Sequence, residues 1–257
     1  MGKRGGAKRR STKDLPPVSR QYILNLIKKV DSLHYDDFWK KWVKALIALL
    51  YLSGRRISEI IGRKYPERGQ PIDIYEGVKM EDFEIVSVAG RRVLKMHCRI
   101  LKKGRLKIVC PRCGMLNAKE NQFCSKCGLE LAPLNLQEIE KGGIRQVWAD
   151  IHMRLDDPLI DYVLDWLKYL KSIGHKGRVF PITTRQRAWQ IMKEIDPNIW
   201  NHWFRHQRFT HISEVMDPYE LKEFAHWETI EPAVAYVHRS PRRILEKIER
   251  ADKIWEE

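Results

Sequence analysis

Two groups of side chains in this sequence have types and spacings that can do chemistry. The first is a cysteine quartet. Cys110-Pro111-Arg112-Cys113-Gly114 and Cys124-Ser125-Lys126-Cys127-Gly128 make two C-x2-C pairs with ten residues between them. Each pair is a knuckle that aims two thiolates at one point, and the glycine behind it permits the tight turn. Four thiolates close a tetrahedral shell around Zn2+ and leave no open position, so such a metal holds structure and does not activate water. Two disulfides are the competing arrangement, which a reducing compartment disfavours. Cys98, the fifth cysteine, falls in a strand-like stretch and is expected in the core.

The second group is cationic, with a tyrosine behind it. Gly54-Arg55-Arg56-Ile57-Ser58-Glu59 puts an arginine at a helix start and a carboxylate one turn later. Taken alone, that is an i, i+3 ion pair worth about 0.3–0.5 kcal/mol. His202-Trp203-Phe204-Arg205-His206 is sharper, because positions i and i+3 share a helical face and both can reach one phosphate. Phosphoryl transfer needs an in-line nucleophile, cations for the charge that builds on the phosphorane, and an acid for the leaving oxygen. Arginine suits the cationic role, because its planar fork binds two phosphate oxygens and never loses its charge.

In their order along the chain, these segments resemble the active-site motifs of tyrosine recombinases, the phage-type integrase family. Gly54 to Glu59 is similar to the family's G-x-R-x-S-E, and Arg205 to Ile212 follows its R-H-x-x-x-T-H-hydrophobic pattern. Ala235-Tyr236-Val237-His238 resembles the segment that carries the nucleophile. The resemblance implies Arg56 as a phosphate clamp with Glu59 as its positioning carboxylate, and Arg205 as the second clamp. It makes His202 the proton-handling or phosphate-binding histidine, and Tyr236 the nucleophile that forms a 3′-phosphotyrosine. A His or Trp precedes that tyrosine by nine positions in the family. Spacing selects Trp227, while Ala225-His226 has the right neighbours one residue early, so both are carried. The family's hairpin lysine, which protonates the leaving oxygen, corresponds to Lys103 or, second, Lys102 in Ile100-Leu101-Lys102-Lys103-Gly104-Arg105-Leu106-Lys107. Arg55 stands where the family varies, and His206 and His211 are expected to pack or cap. Tyr51 and Tyr219 lie at the wrong distance from Arg205 to replace Tyr236. Transesterification conserves bond energy, so the resemblance implies no catalytic metal and no nucleotide.

The elements that must hold these groups are mostly helical. Ser19 caps an amphipathic helix through Tyr22, Ile23, Leu26, Ile27 and Val30, and Asp36 or Asp37 opens a second that Gly54 ends. A short helix follows from about Ser58. Alternation over Phe83–Val88 and Val93–Ile100, joined at Ala89-Gly90, predicts a hairpin, with Val147–Ile151 as a candidate returning strand. Asp157-Pro158 reads as an N-cap with proline at the first helical position, opening a helix that runs to Gly174. Further helices are expected at about 184–194, 203–216, 218–226, 229–238 and 241–255. Within the last, Ile244, Leu245, Ile248, Ile254 and Trp255 form a stripe that docks on a neighbouring subunit or packs on its own domain.

The 257 residues carry a formal net charge of +15 and a sequence pI of about 9.6, which calls for a polyanionic partner. No uncharged apolar run is long enough to span a bilayer, and the basic start leads into no apolar signal region, so a cytoplasmic protein without membrane contact is expected. Residues 1–17 read as a disordered basic arm, either a grip on DNA backbone or a solubilising tail. The expectation is an α+β, mostly α chain. It has a tyrosine-recombinase catalytic domain over 18–257, interrupted by a zinc-ribbon insertion at 108–132, without the family's N-terminal core-binding domain. As a function this is site-specific recombination of double-stranded DNA by a homotetramer on two duplexes, monomeric when free. A type IB topoisomerase-like nicking-closing enzyme is the first alternative, and a zinc-dependent DNA-binding protein with vestigial catalytic residues the second.

Overall fold

The computed structural model describes residues 18–63, 75–101, 107–118, 121–131 and 147–237, with 245, 248 and 249. In chain order its helices and strands are α1 (Arg20–Lys29), α2 (Asp37–Ser53), α3 (Ile57–Ile61), β1 (Phe83–Val88), β2 (Arg91–Ile100), β3 (Lys107–Val109), β4 (Leu116–Ala118), β5 (Val147–Arg154), α4 (Ile160–Ser172), α5 (Arg185–Ile195), α6 (Trp203–Ile212), α7 (Pro218–Ala225) and α8 (Glu231–Val234). They fall into two compact units, one of residues 1–55 and 192–257 and the other of residues 56–191.

The first unit is all helix among the described residues. The Ser19 side chain caps α1 by accepting from the Tyr22 N–H, and Asp36 caps α2 by accepting from Trp39. α2 is the core of this unit, because every residue from Ala45 to Ser53 is buried. It packs against α6. Gly54 ends α2 in the left-handed conformation, at φ +60°, which a residue without Cβ adopts at little cost. Phe209, Ile212, Leu221, Ala225 and Ala233 bring α6, α7 and α8 together, with Trp227 and Tyr236 packed against them.

Two helices of this unit differ from expectation. α6 stops at Ile212 because the Ser213 hydroxyl bonds the Thr210 carbonyl at 2.8 Å and the chain turns toward Asp217, which caps α7 with a full capping box. α8 is four residues long and leaves Tyr236 in the turn after it. The expected C-terminal helix, with its apolar stripe, lies outside the described residues apart from 245, 248 and 249, as does the basic arm at 1–17.

The second unit is built on a three-stranded antiparallel sheet in the order β1-β2-β5. Phe83 pairs with Met96 across the Ala89-Gly90 turn, and Ile100 pairs with Val147, so the returning strand comes after the ribbon in the chain. β5 alternates with period two, burying Ala149, Ile151 and Met153 and exposing the residues between. Cys98 is buried in β2, as expected of a core cysteine. α4 starts three residues later than Asp157: that side chain accepts from the Leu159 N–H at 3.0 Å, which makes a turn before the helix and not its cap.

Candidate active site and metal centre

The first unit carries the histidines, one arginine and the tyrosine. Arg205 lies on α6 with its side chain buried, and Nη1 donates to the Gly54 carbonyl at 2.6 Å. Its guanidinium sits 4.3 Å from the Phe209 ring centre and 5.6 Å from that of Trp227, a cation held over two aromatic faces. Tyr236, half-buried, has its hydroxyl 2.5 Å from His206 Nδ1. Trp227 stacks on the Tyr236 ring at 5.9 Å and 15°, and Phe209 meets it edge-on at 5.6 Å. Arg205, His206, Trp227 and Tyr236 therefore form one cluster. His202 is the exposed residue immediately before α6, and its carbonyl accepts the His206 N–H.

Burial sets the electrostatics of the pair. It pushes the Tyr236 phenol up to about 12, and the Arg205 charge acts in the opposite direction. Burial also lowers His206 to about 4, with the charges of His202 and Arg205 adding to it. At neutral pH both groups are uncharged.

Of the two candidates ahead of the tyrosine, Trp227 is the one whose ring lies on Tyr236. His226 ends α7 in the left-handed conformation, at φ 52°, and its N–H bonds the Glu223 carbonyl. Arg55 has a use that the motif does not announce. Fully buried, it sends Nη2 to the Phe224 carbonyl at 2.5 Å and Nη1 to the Ala225 carbonyl at 3.4 Å. A cation thus closes the C-terminal end of α7, where carbonyls lack helical partners. Tyr51 is buried with its hydroxyl on His211 Nδ1 at 2.6 Å, while Tyr219 is exposed on α7.

In the second unit, Arg56 is the residue ahead of α3. One oxygen of the fully buried Glu59 carboxylate accepts the Arg56 N–H at 2.9 Å, and the other accepts Arg56 Nη1 at 3.0 Å and the Leu101 N–H at 3.3 Å. Glu59 therefore caps α3 and fixes the Arg56 guanidinium, which stays partly exposed. Lys102 and Lys103 lie outside the described residues.

The same unit holds the metal centre. Sγ atoms of Cys110, Cys113, Cys124 and Cys127 lie within 4.8 Å of one another. Cys110 and Cys127 are 3.5 Å apart at sulfur, as are Cys113 and Cys124, far longer than a disulfide. Four thiolates about 2.3 Å from one ion have edges of about 3.8 Å, so the donor set fits tetrahedral zinc. Gly114 and Gly128 take φ of 70° and 71°, and each donates its N–H to the carbonyl of the first cysteine of its pair. Asn117, buried between the knuckles, donates to Cys124 Sγ at 3.5 Å and accepts from the Ser125 N–H at 2.8 Å. Zinc bound here would hold the two knuckles together around this small core.

Residues 109–131 match the zinc-ribbon domain family. The chain as a whole aligns over 94% of its length with the XerH site-specific recombinase bound to palindromic difH substrate in a post-cleavage complex, at 12% identity and a TM-score of 0.52. For the XerH pre-cleavage complex with difH the figures are 95%, 13% and 0.50. The Tn1549 transposon integrase in complex with transposon right end DNA aligns over 95% at 15% identity with a TM-score of 0.48. The chain spans 53–55% of the XerH chains and 67% of the Tn1549 chain. No curated protein sequence matches it. The chain thus has a recombinase-like fold, mostly α with a small antiparallel sheet, and carries a zinc ribbon. No helix among the described residues is long and apolar enough to cross a membrane.

Two residues around the cluster escape the sequence reading: His206, expected to pack or cap, and Arg55, expected to be variable. A polar side chain directly after Arg205 is the one available sign of the first. For the second it is the pair of adjacent arginines, Arg55 and Arg56.

Proposed function

We propose that this chain cuts and rejoins double-stranded DNA as a site-specific, integrase-like tyrosine recombinase. One observation carries the reading: the Tyr236 hydroxyl is hydrogen-bonded to His206, and its ring lies against Trp227, over which the Arg205 guanidinium also sits. A tyrosine so held beside a fixed arginine has the composition of a nucleophile next to a phosphate clamp. The recombinase-like fold and the net charge of +15 support a DNA substrate.

In the proposed step the Tyr236 oxygen attacks the scissile phosphorus, the bond to the 5′ oxygen breaks, and the DNA 3′ end becomes a phosphotyrosine. Arg56 and Arg205 bind the non-bridging oxygens, where their fixed charge meets the charge of the phosphorane. Glu59 keeps Arg56 in place, His202 binds the same phosphate, and Trp227 holds the tyrosine ring. His226 is the alternative to Trp227. Lys103, with Lys102 second, protonates the leaving 5′ oxygen. The zinc held by four cysteines is structural, and its reduced thiolates suit a cytoplasmic protein. Recombination requires a synaptic homotetramer on two duplexes.

The test is covalent capture. A pool of nicked suicide duplexes of randomised sequence is incubated with wild type and Tyr236→Phe, and products are resolved under denaturing conditions. A protein–DNA adduct formed by the wild type and lost in the variant is expected. An adduct that survives Tyr236→Phe moves the nucleophile elsewhere. DNA bound by both without any adduct leaves a DNA-binding protein. Junctions formed between two duplexes of the captured sequence identify a recombinase, whereas relaxation of supercoils by a monomer without junctions identifies a nicking-closing enzyme.

A further inference from the structure

His206 has no part in the chemistry assigned above, yet its Nδ1 is the atom that meets the Tyr236 hydroxyl, at 2.5 Å. A phenol that bonds to phosphorus must give up its proton, and the receiving atom must lie within hydrogen-bond reach and hold a free lone pair. The geometry keeps the two groups in register. His206 is anchored by its place on α6, directly after the buried Arg205, and its ring centre is 5.8 Å from that of Tyr236. Phe209 and Trp227 enclose the tyrosine ring edge-on and face-on, which limits its rotation away from His206.

We propose that His206 is the general base for Tyr236, accepting the phenolic proton at Nδ1 as the strand is cut; this rests on the strand-cleavage reading. In the cleavage step a bond forms between the Tyr236 oxygen and phosphorus and the bond from phosphorus to the 5′ oxygen breaks. The phenolic proton passes to His206 Nδ1, and the 5′ oxygen leaves as the alcohol with a proton from the lysine assigned as acid. In rejoining, the 5′ hydroxyl attacks the phosphotyrosine, giving its proton back to that lysine, and His206 returns its own proton to the departing phenol. For this, neutral His206 carries its ring proton on Nε2 and presents Nδ1 as an acceptor.

The charges around the ring make the transfer dependent on substrate. The groups that bear on His206 are the cationic Arg205, His202 and the phenol itself. Burial and the first two hold the imidazole near 4, so without DNA the proton stays on the phenol and the tyrosine is a poor nucleophile. A phosphate bound at Arg205 brings negative charge beside the ring and opposes that suppression. Proton transfer then follows phosphate binding.

The experiment measures the single-turnover rate of adduct formation on the suicide duplex that wild type captures from the randomised pool. His206→Asn keeps a hydrogen-bond acceptor near the place of Nδ1 but cannot take a proton. It is expected to slow adduct formation about 100-fold or more while binding the duplex as wild type does. Difluorotyrosine at position 236, a more acidic phenol, should recover most of that loss in His206→Asn and change the wild type little. His206→Asn cleaving near the wild-type rate would overturn the proposal, and so would a loss that the acidic phenol leaves untouched, since that marks a packing role. Failure of the underlying reading looks different: wild type itself forms no adduct, or Tyr236→Phe still does.

Discussion

Arg205 donates from Nη1 to the Gly54 carbonyl at 2.6 Å, so the helix with the H-x-x-R unit is tied to the turn that ends α2. The tie depends on that turn having no side chain. A Cβ on Gly54 would lie 3.2 Å from Phe209 Cε1 and 3.4 Å from Phe224 Cε1, on a backbone at φ +60°. Gly54→Ala is expected to lower the unfolding free energy by about 1–2 kcal/mol through left-handed strain. Urea unfolding measures this. A variant as stable as wild type would mean that the turn relaxes freely and does not fix Arg205.

Arg55 should matter for stability more than its place in the motif suggests. Its guanidinium is buried and supplies hydrogen bonds to the last carbonyls of α7, just ahead of Trp227. Arg55→Met keeps much of the volume and strands those carbonyls. The expected loss is about 2–4 kcal/mol by urea unfolding. Arg55→Lys should fall between, since an ammonium cannot reproduce the fork. If Arg55→Met unfolds at the wild-type midpoint, the α7 end is satisfied by other groups.

Glu59 accepts three donors, two from Arg56 and the Leu101 N–H, and each needs a lone pair that an amide nitrogen does not offer. Glu59→Gln turns an NH2 group toward at least one of them. It is expected to cost about 1–3 kcal/mol in stability and to slow covalent capture by releasing the Arg56 guanidinium. Glu59→Gln that matches wild type in both thermal unfolding and capture would remove Glu59 from any positioning role.

These cases mark what the sequence makes legible. Caps and glycines are local chemistry: Ser19, Asp36 and Gly54 act on neighbours within a few residues, and the helices they bound lie where expected. The same local reasoning fails at Asp157, whose side chain has two ways to satisfy a nearby N–H and takes the turn. The two C-x2-C pairs are legible in full because their spacing and glycines alone bring four sulfurs together. The partners of His206 and Arg55 are not. Each meets an atom far along the chain, thirty residues away for His206 and about 170 for Arg55, and only tertiary packing decides which of two adjacent polar side chains turns inward. Trp227 and His226 lie between these cases: spacing favours Trp227, whose ring stacks on Tyr236, while His226 ends α7 in the left-handed conformation.

The zinc ribbon should bind one metal ion per chain and depend on Asn117 as well as its cysteines. Cys124→Ser is expected to abolish zinc binding and release residues 109–131 to proteolysis, because so small a segment folds through its metal. Asn117→Ala removes the amide that touches Cys124 Sγ and the Ser125 N–H. Its zinc affinity should fall about 10–100-fold in a competition titration with a chromogenic chelator. Unchanged affinity would show that the knuckles are held by the metal and their glycine turns alone.

His206 should also leave a signature in the pH dependence of stability. Its pKa is about 4 in the folded chain against an ordinary 6.5, lowered by burial first and then by the charges of His202 and Arg205. Below 6.5 the unfolded chain takes up a proton that the folded chain refuses, so stability is lost as pH falls from 6.5 toward 4. Tyr236 acts at the other end. Burial pushes it up to about 12 from 10.0, so above pH 10 the unfolded phenol ionises first and stability falls again. His211, also lowered by burial, adds to the acid side in wild type and variant alike and cancels from their difference. His206→Asn has no such proton to refuse. Relative to wild type it should gain about 1–3 kcal/mol on going from neutral pH to about pH 4, read as the change in the gap between their urea unfolding free energies. A gap of the same size at both pH values would mean that burial and the neighbouring charges do not hold the His206 imidazole down in the folded chain.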